Sequence, residues 1–148
     1  MRRNLILLAV GVVLSLLFVG LAPGTYEALY YEREFSNEMY NGSMYIVMAI
    51  IQLAVAWGVA AAYYYIIDSV SFSRWYHWLV LLAVVAVVAG GVGYGYPNAV
   101  FSDMGFDFTF QQVAFALVCM LIEVVLFVIA SFSIRWWSVN CRHTPIPE

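Results

Sequence analysis

The amino-acid sequence predicts an all-α integral membrane protein with four transmembrane helices and with both termini in the cytoplasm. Composition excludes a soluble domain of this length, because 65% of the residues are hydrophobic and only 10% are charged. Four apolar runs are each long enough to cross a hydrocarbon core about 30 Å thick, which requires roughly 17 to 25 helical residues. The arginines are also distributed unevenly between the two sides of such a bundle.

Each apolar run is predicted to form one helix, and the segments between the runs are too short to fold as a second domain. The predicted helices are residues 5–21, 44–67, 78–94 and 110–134. The predicted outer loops are residues 22–43 and 95–109. The first run also resembles a secretory signal peptide, but Pro23 would directly follow the cleavage site and disfavours cleavage. We therefore expect the first run to remain as a membrane helix in a single domain, 1–148.

Arginine placement predicts the orientation of the helices. Five of the six basic residues lie on the side that holds both termini: Arg2, Arg3, Arg74, Arg135 and Arg142. The sixth, Arg33, lies in the first outer loop, and the two outer loops also hold most of the acidic residues. Because basic residues concentrate on the cytoplasmic side of membrane helices, the pattern predicts cytoplasmic termini, in a bacterial cytoplasmic (inner) membrane.

The first outer loop, residues 22–43, is predicted to contain one interfacial helix from Tyr26 to Met39. One face of that helix would carry an acidic, tyrosine-rich set of side chains: Glu27, Tyr31, Glu34 and Glu38. This face is suited to contact a partner protein or a cation. The alternative is a solvated connector that rests on the membrane, which we favour. At the end of the second outer loop, Thr109 and Gln112 match a capping box that would start the fourth helix.

Small residues recur at helical spacing in the second and third predicted helices, where they would let helix backbones approach closely. Those of the second helix are Ala54, Gly58 and Ala62, and those of the third include Ala86, Gly90 and Gly93. The sequence does not distinguish a neighbouring helix of the same chain from one of another subunit.

Glu123 is the most informative single residue, because it lies halfway along the fourth apolar run with no basic residue near it in sequence. Acids within membrane helices are rare, face a protein interior or water, and are often functional. Three hypotheses remain open for its carboxyl group. It could stay protonated and donate a hydrogen bond across helices, with Gln52 as a candidate partner. It could instead be protonated reversibly in a proton or cation pathway, or contact a basic residue of a partner protein.

No arrangement of side chains in the sequence predicts catalysis. Serine, cysteine and histidine do not form a recognisable nucleophile-base pattern, and no carboxylates or histidines have the spacing of metal ligands. Basic nucleic-acid patches and phosphate-binding glycine loops are also missing. We therefore expect no enzyme activity, no cofactor, no metal and no nucleic-acid partner. The sequence favours a non-catalytic membrane subunit, surrounded by lipid, that assembles into a homo-oligomer or a multiprotein envelope complex. The alternative is a small ion channel or proton-coupled transporter that uses Glu123.

Overall fold

A computed structural model describes residues 2–146 of the chain, and within this range it is helical with no strands. The α-helices are α1 (Arg2–Gly20), α2 (Ala22–Leu29), α3 (Arg33–Asn41), α4 (Met44–Ala61), α5 (Trp75–Met104) and α6 (Thr109–Ile134). A π-helical segment, Ala62–Ile67, continues α4, and short 3₁₀ turns occur at Val70–Phe72 and Arg135–Trp137. Four of these helices are long and apolar enough to cross a membrane: α1, α4 with its π-helical segment, α5 and α6. The prediction of four such helices is therefore confirmed.

Helix α6 lies at the centre of the bundle and packs against α1, α4 and α5. Of its apolar stretch, 44% is buried inside the protein, compared with 11% for α1. The four long helices alternate in direction along the chain, so the start of α1 and the end of α6 lie at the same end of the bundle. We call this end the terminal end. We call the opposite end, which holds α2 and α3, the loop end.

Glycines let α6 approach its neighbours closely at two places. A methyl group on Gly93 of α5 would lie 2.9 Å from the Cβ atom of Cys119, and one on Gly11 of α1 would lie 2.8 Å from the Cβ atom of Ser133. Real carbon atoms do not pack this tightly, so a larger side chain at either glycine would push the helices apart.

The predicted first outer loop, residues 22–43, folds differently from the prediction. The single helix predicted from Tyr26 to Met39 is wrong, because the chain is extended at Tyr30 and Glu32 and two helices form instead. The Glu32 carboxylate accepts hydrogen bonds from the backbone N–H groups of Glu34 and Phe35, at 3.3 and 2.9 Å, and so caps α3. Local capping thus separates α2 from α3.

The same segment is not the solvated connector that we favoured from the sequence. Tyr26, Phe35 and Met39 are completely buried. Phe35 packs edge-on against Phe101 and Phe108, with ring centroids 5.7 Å away in each case. Helices α2 and α3 therefore cover the loop end of the bundle with an aromatic layer.

The predicted second outer loop, 95–109, is largely helical. Helix α5 continues ten residues beyond the predicted end at Tyr94, to Met104, and contains Pro97. Proline removes only one helical hydrogen bond, and membrane-type helices tolerate it where neighbours pack around it. Helix α5 ends at Met104 and is followed by Gly105, whose φ of 78° is the left-handed conformation that glycine adopts readily.

The predicted capping box at the start of α6 is also wrong. The Asp107 carboxylate accepts from both the backbone N–H and the hydroxyl of Thr109, at 3.3 and 2.7 Å. These bonds lower the pKa of Asp107 below its usual value. An acid two residues before the helix therefore takes the place of the threonine cap.

At the terminal end, the C-terminal tail, which we define as residues 138–146, folds back onto the connection between α4 and α5. Asp68 holds it there: its carboxylate accepts from the hydroxyl of Ser138 at 2.6 Å and from the backbone N–H of Asn140 at 2.9 Å. The hydrogen bond from Ser138, followed by that from Asn140, lowers the pKa of Asp68. Asp68 adopts a φ of 27°, an uncommon conformation for a residue with a side chain.

Candidate functional site

The structure brings four polar side chains together inside the bundle: Tyr26, Gln52, Cys119 and Glu123, which we call the buried polar cluster. Tyr26, Cys119 and Glu123 are completely buried, and Gln52 is 1% exposed. Three elements contribute to the cluster, since Tyr26 belongs to α2, Gln52 to α4, and the other two residues to α6. Burial of so many polar groups is unfavourable unless each has a partner, so their hydrogen bonds are informative.

Gln52 connects the three elements through its amide group. Its Oε1 atom accepts a hydrogen bond from the Tyr26 hydroxyl, and its Nε2 atom donates to the backbone carbonyl of Cys119 at 2.6 Å. In an α-helix that carbonyl also accepts the backbone N–H of Glu123, four residues further on. Gln52 therefore fastens α2 and α4 to the turn of α6 that carries the acid.

Glu123 itself has no hydrogen-bond partner for either carboxylate oxygen among the described residues. The hydrogen bond between Gln52 and Glu123 that the sequence suggested is not formed among the described residues, and the Gln52 amide instead contacts Tyr26 and the Cys119 carbonyl. An ionised carboxylate in this position would cost several kcal/mol or more, so burial favours the protonated acid.

Aromatic rings separate the cluster from the loop end. The ring of Tyr26 stacks on Tyr45, with centroids 5.5 Å apart, and contacts Phe115 at 5.3 Å and Phe18 at 6.0 Å. Burial raises the pKa of Tyr26 far above its usual value. The Tyr26 hydroxyl therefore stays protonated and acts as a hydrogen-bond donor.

The small-residue positions predicted for helix packing divide into two groups. Ala86, Gly90 and Gly93 of α5 are buried against α6, where a methyl group on Gly90 would lie 2.6 Å from the Cγ atom of Met120. Ala54 and Gly58 of α4, by contrast, are exposed, and Ala62 is half-buried. The α4 positions do not pack closely against another helix of this chain, so a role for them in contacts with another chain stays a prediction.

The acidic positions predicted as partner contacts do not share one helical face. Glu27 belongs to α2, Tyr31 lies in the break between the helices, and Glu34 and Glu38 belong to α3. Tyr31 and Glu34 are exposed, and Glu27 and Glu38 are half-buried. The break at residues 30–32 separates them, and their role as partner contacts stays a prediction.

Sequence reasoning missed several buried polar residues, among them Tyr26, Gln112 and Arg135. The sequence predicts that Tyr26 lies in a surface helix, because its spacing from Phe35 and Met39 gives no sign that it enters the bundle. Gln112 of α6 is 2% exposed, and its Oε1 atom has no partner among the described residues. Arg135 is 3% exposed, and its guanidinium lies 4.2 Å from the ring centroid of Trp136. Their burial depends on tertiary packing, which a single sequence does not show.

The described residues contain no group of three or more histidine, cysteine, aspartate or glutamate side chains that could hold a metal ion. Cys119 and Cys141 are free and buried. Comparison of the chain with protein-family models, curated proteins and solved structures gives no match.

Proposed function

We propose that the chain is a non-catalytic integral membrane subunit that assembles with copies of itself or with other membrane proteins. The observation that supports this proposal is the exposed small-residue face of α4, formed by Ala54 and Gly58. A groove of about 360 Å³, lined mainly by apolar side chains, lies beside Ala54 between α1 and α4. Small residues on an exposed face permit close approach of a further helix, which is how helices gain packing energy in lipid.

The proposal includes a bacterial cytoplasmic membrane with both termini in the cytoplasm. Its support is the arginine distribution, since the terminal end carries five of the six arginines. Glu123 is not a direct contact in this proposal, because it has no exposed surface for a second chain to reach. Its place is inside the subunit, where the buried polar cluster holds α6 in position.

The test is the mass of the particle extracted in mild detergent, compared between Gly58→Leu and a matched control. We expect the wild-type particle to be at least twice the 16.7 kDa chain mass after the micelle is subtracted. Gly58→Leu should shift it towards the monomer, because the new side chain blocks close helix contact. Gly91→Leu is the control, since Gly91 is also exposed on a helix with no atom nearby. A wild-type monomer, or equal masses for both variants, contradicts the proposal.

A second candidate function, proton-coupled transport, is favoured by one observation: neither carboxylate oxygen of Glu123 has a partner in the described residues. An acid of this kind can take up and release a proton without breaking a protein hydrogen bond. Liposome flux of protons and simple cations should then be pH-dependent in the wild type and lost in Glu123→Gln. Flux that is absent from the wild type, or unchanged in the variant, excludes this candidate.

A further inference from the structure

A polar pocket of about 610 Å³ opens at the terminal end, between the connection from α4 to α5 and the C-terminal tail. One wall is formed by Arg74 and the first residues of α5, and the other by tail residues that include Arg142. The volume is within the range of pockets that hold small molecules or headgroups. Because α5 and α6 are suited to cross a membrane, the pocket lies near the level where their apolar segments end.

The charge of the pocket is positive. Arg74 and Arg142 both line it, and no acidic residue does so in the part of the chain that the structure describes. The Nε atom of Arg142 donates to the Nε2 atom of His143 at 3.1 Å, a hydrogen bond that does not use the terminal N–H groups of the guanidinium. Two arginines facing one cavity form a site suited to the oxygens of a phosphate group.

Backbone dipoles add to this charge. Arg74 is the N-cap residue of α5, makes no side-chain cap, and is followed by a first turn without acidic residues. The backbone N–H of His77 donates to the Arg74 carbonyl at 3.1 Å. The first turn of α5 still carries the positive end of the helix dipole, and Trp75 and Tyr76 of that turn also line the pocket. The arginines and the helix terminus thus favour the same kind of ligand, an anion.

The second wall is held in place by the fold rather than by a ligand. Asn140 lines the pocket, and its backbone N–H donates to the Asp68 carboxylate at 2.9 Å. Asp68 does not line the pocket, and its carboxylate is also engaged by the Ser138 hydroxyl and the Val139 backbone. The acid therefore fixes the tail, and with it the position of Arg142, without lining the cavity itself.

Apolar side chains at the rim distinguish a lipid from a free anion. Trp75 and Tyr76 are 47% and 42% exposed, and both are side chains typical of the headgroup level of a bilayer. On the tail, Val139 and Ile146 are 78% and 55% exposed. We propose that this pocket binds the phosphate-bearing headgroup of an anionic phospholipid, with Arg74 and Arg142 contacting the phosphate and the exposed apolar side chains contacting the acyl region.

Native mass spectrometry of the full chain in mild detergent tests this site, with phosphatidylglycerol and phosphatidylcholine as probes. We expect the wild type to retain phosphatidylglycerol in preference to phosphatidylcholine. Arg74→Gln and Arg142→Gln should each weaken that retention about fivefold, the effect of one basic residue near anionic lipid. Arg3→Gln, at the same end but outside the pocket, and Arg33→Gln, at the loop end, should retain the lipid as the wild type does. Circular dichroism melting of each variant checks that its fold is intact.

Three results would overturn the proposal. One is equal retention of the two lipids by the wild type. Another is a loss in Arg3→Gln as large as that in Arg74→Gln, which would indicate general attraction to surface charge. The third is displacement of phosphatidylglycerol by an equal concentration of inorganic phosphate, which would identify a free anion rather than a lipid as the ligand. Lipid retention does not depend on the oligomeric state, so the lipid proposal can fail while the proposed function holds, and the reverse.

Discussion

Replacing Tyr26 by Phe removes one hydroxyl group from the bundle interior and leaves the aromatic ring in its place. The hydroxyl is completely buried and donates to the Oε1 atom of Gln52, which is itself 1% exposed. Gln52 is the ninth residue of α4, about 12 Å along the helix from its start. At that depth, water cannot easily replace the lost donor.

The expected loss in free energy of unfolding follows from that unpaired oxygen. A buried acceptor left without its donor costs about 1 to 3 kcal/mol in soluble proteins. Hydrogen bonds between membrane helices average about 0.6 kcal/mol, with a maximum near 1.7. We therefore expect Tyr26→Phe to destabilise the protein by about 1 to 1.5 kcal/mol, which corresponds to a decrease in Tm of roughly 3 to 5 °C for a chain of this size.

Unfolding in mixed micelles with increasing sodium dodecyl sulfate measures the effect, followed by far-UV circular dichroism. Tyr40→Phe is the matched control, because Tyr40 is 61% exposed and the same atom is removed. The reasoning fails if Tyr26→Phe is as stable as Tyr40→Phe. The double variant Tyr26→Phe/Gln52→Leu adds a second check, since removing both partners should cost less than the sum of the single changes.

Three further predictions concern other parts of the molecule. Glu123→Met should raise the free energy of unfolding by about 1 to 2 kcal/mol, because it replaces a buried acid without a partner; a lower stability would show that the acid is paired. Gly93→Leu should destabilise by about 1 to 3 kcal/mol through overpacking, and Gly95→Leu, at an exposed glycine of the same helix, should not; thermal melting compares them. Asp68→Asn should increase amide hydrogen exchange in the C-terminal tail about fivefold, with the exposed Asp103→Asn as control; equal exchange contradicts the anchoring role.

The lowered pKa of Asp68 also predicts how tail docking depends on pH. Because the folded-state pKa lies below the ordinary value of 3.8, the stabilisation is fully present above that value. It is lost as the pH falls through the folded-state pKa, when the carboxylate is protonated. Exchange in the tail should therefore be constant between pH 5 and neutrality, after correction for intrinsic rates, and should rise only in strong acid.

The four long apolar helices could be predicted from the sequence because the signal for each helix is local. An apolar run of this length indicates a helix that spans a membrane or is buried. The observed ends of α1 and α6 lie within a few residues of the predicted ends. Helix α5 was predicted too short, because Gly95 and Pro97 are typical of loops and yet are helical here. Packing around Pro97, which is buried, overrides its local preference.

The buried polar cluster was predicted only in part, and for a different reason. Glu123 and Gln52 stand out because they are polar residues in apolar runs. Tyr26 does not, since it lies in a loop rich in tyrosine and glutamate, and only the fold shows that its ring enters the bundle while Tyr31 stays exposed. Pairing between distant residues is set by tertiary structure, so a single sequence cannot supply it.

The central position of α6 has a consequence for the order in which the molecule folds. Helix α1 has only two buried residues, Gly11 and Ser15, and the close partner of Gly11 is Ser133, near the end of the chain. During synthesis, α1, α4 and α5 therefore lack most of their interhelical contacts until α6 has been made. A ribosome that stalls before Thr109 would leave α1, α4 and α5 without the helix that all three pack against.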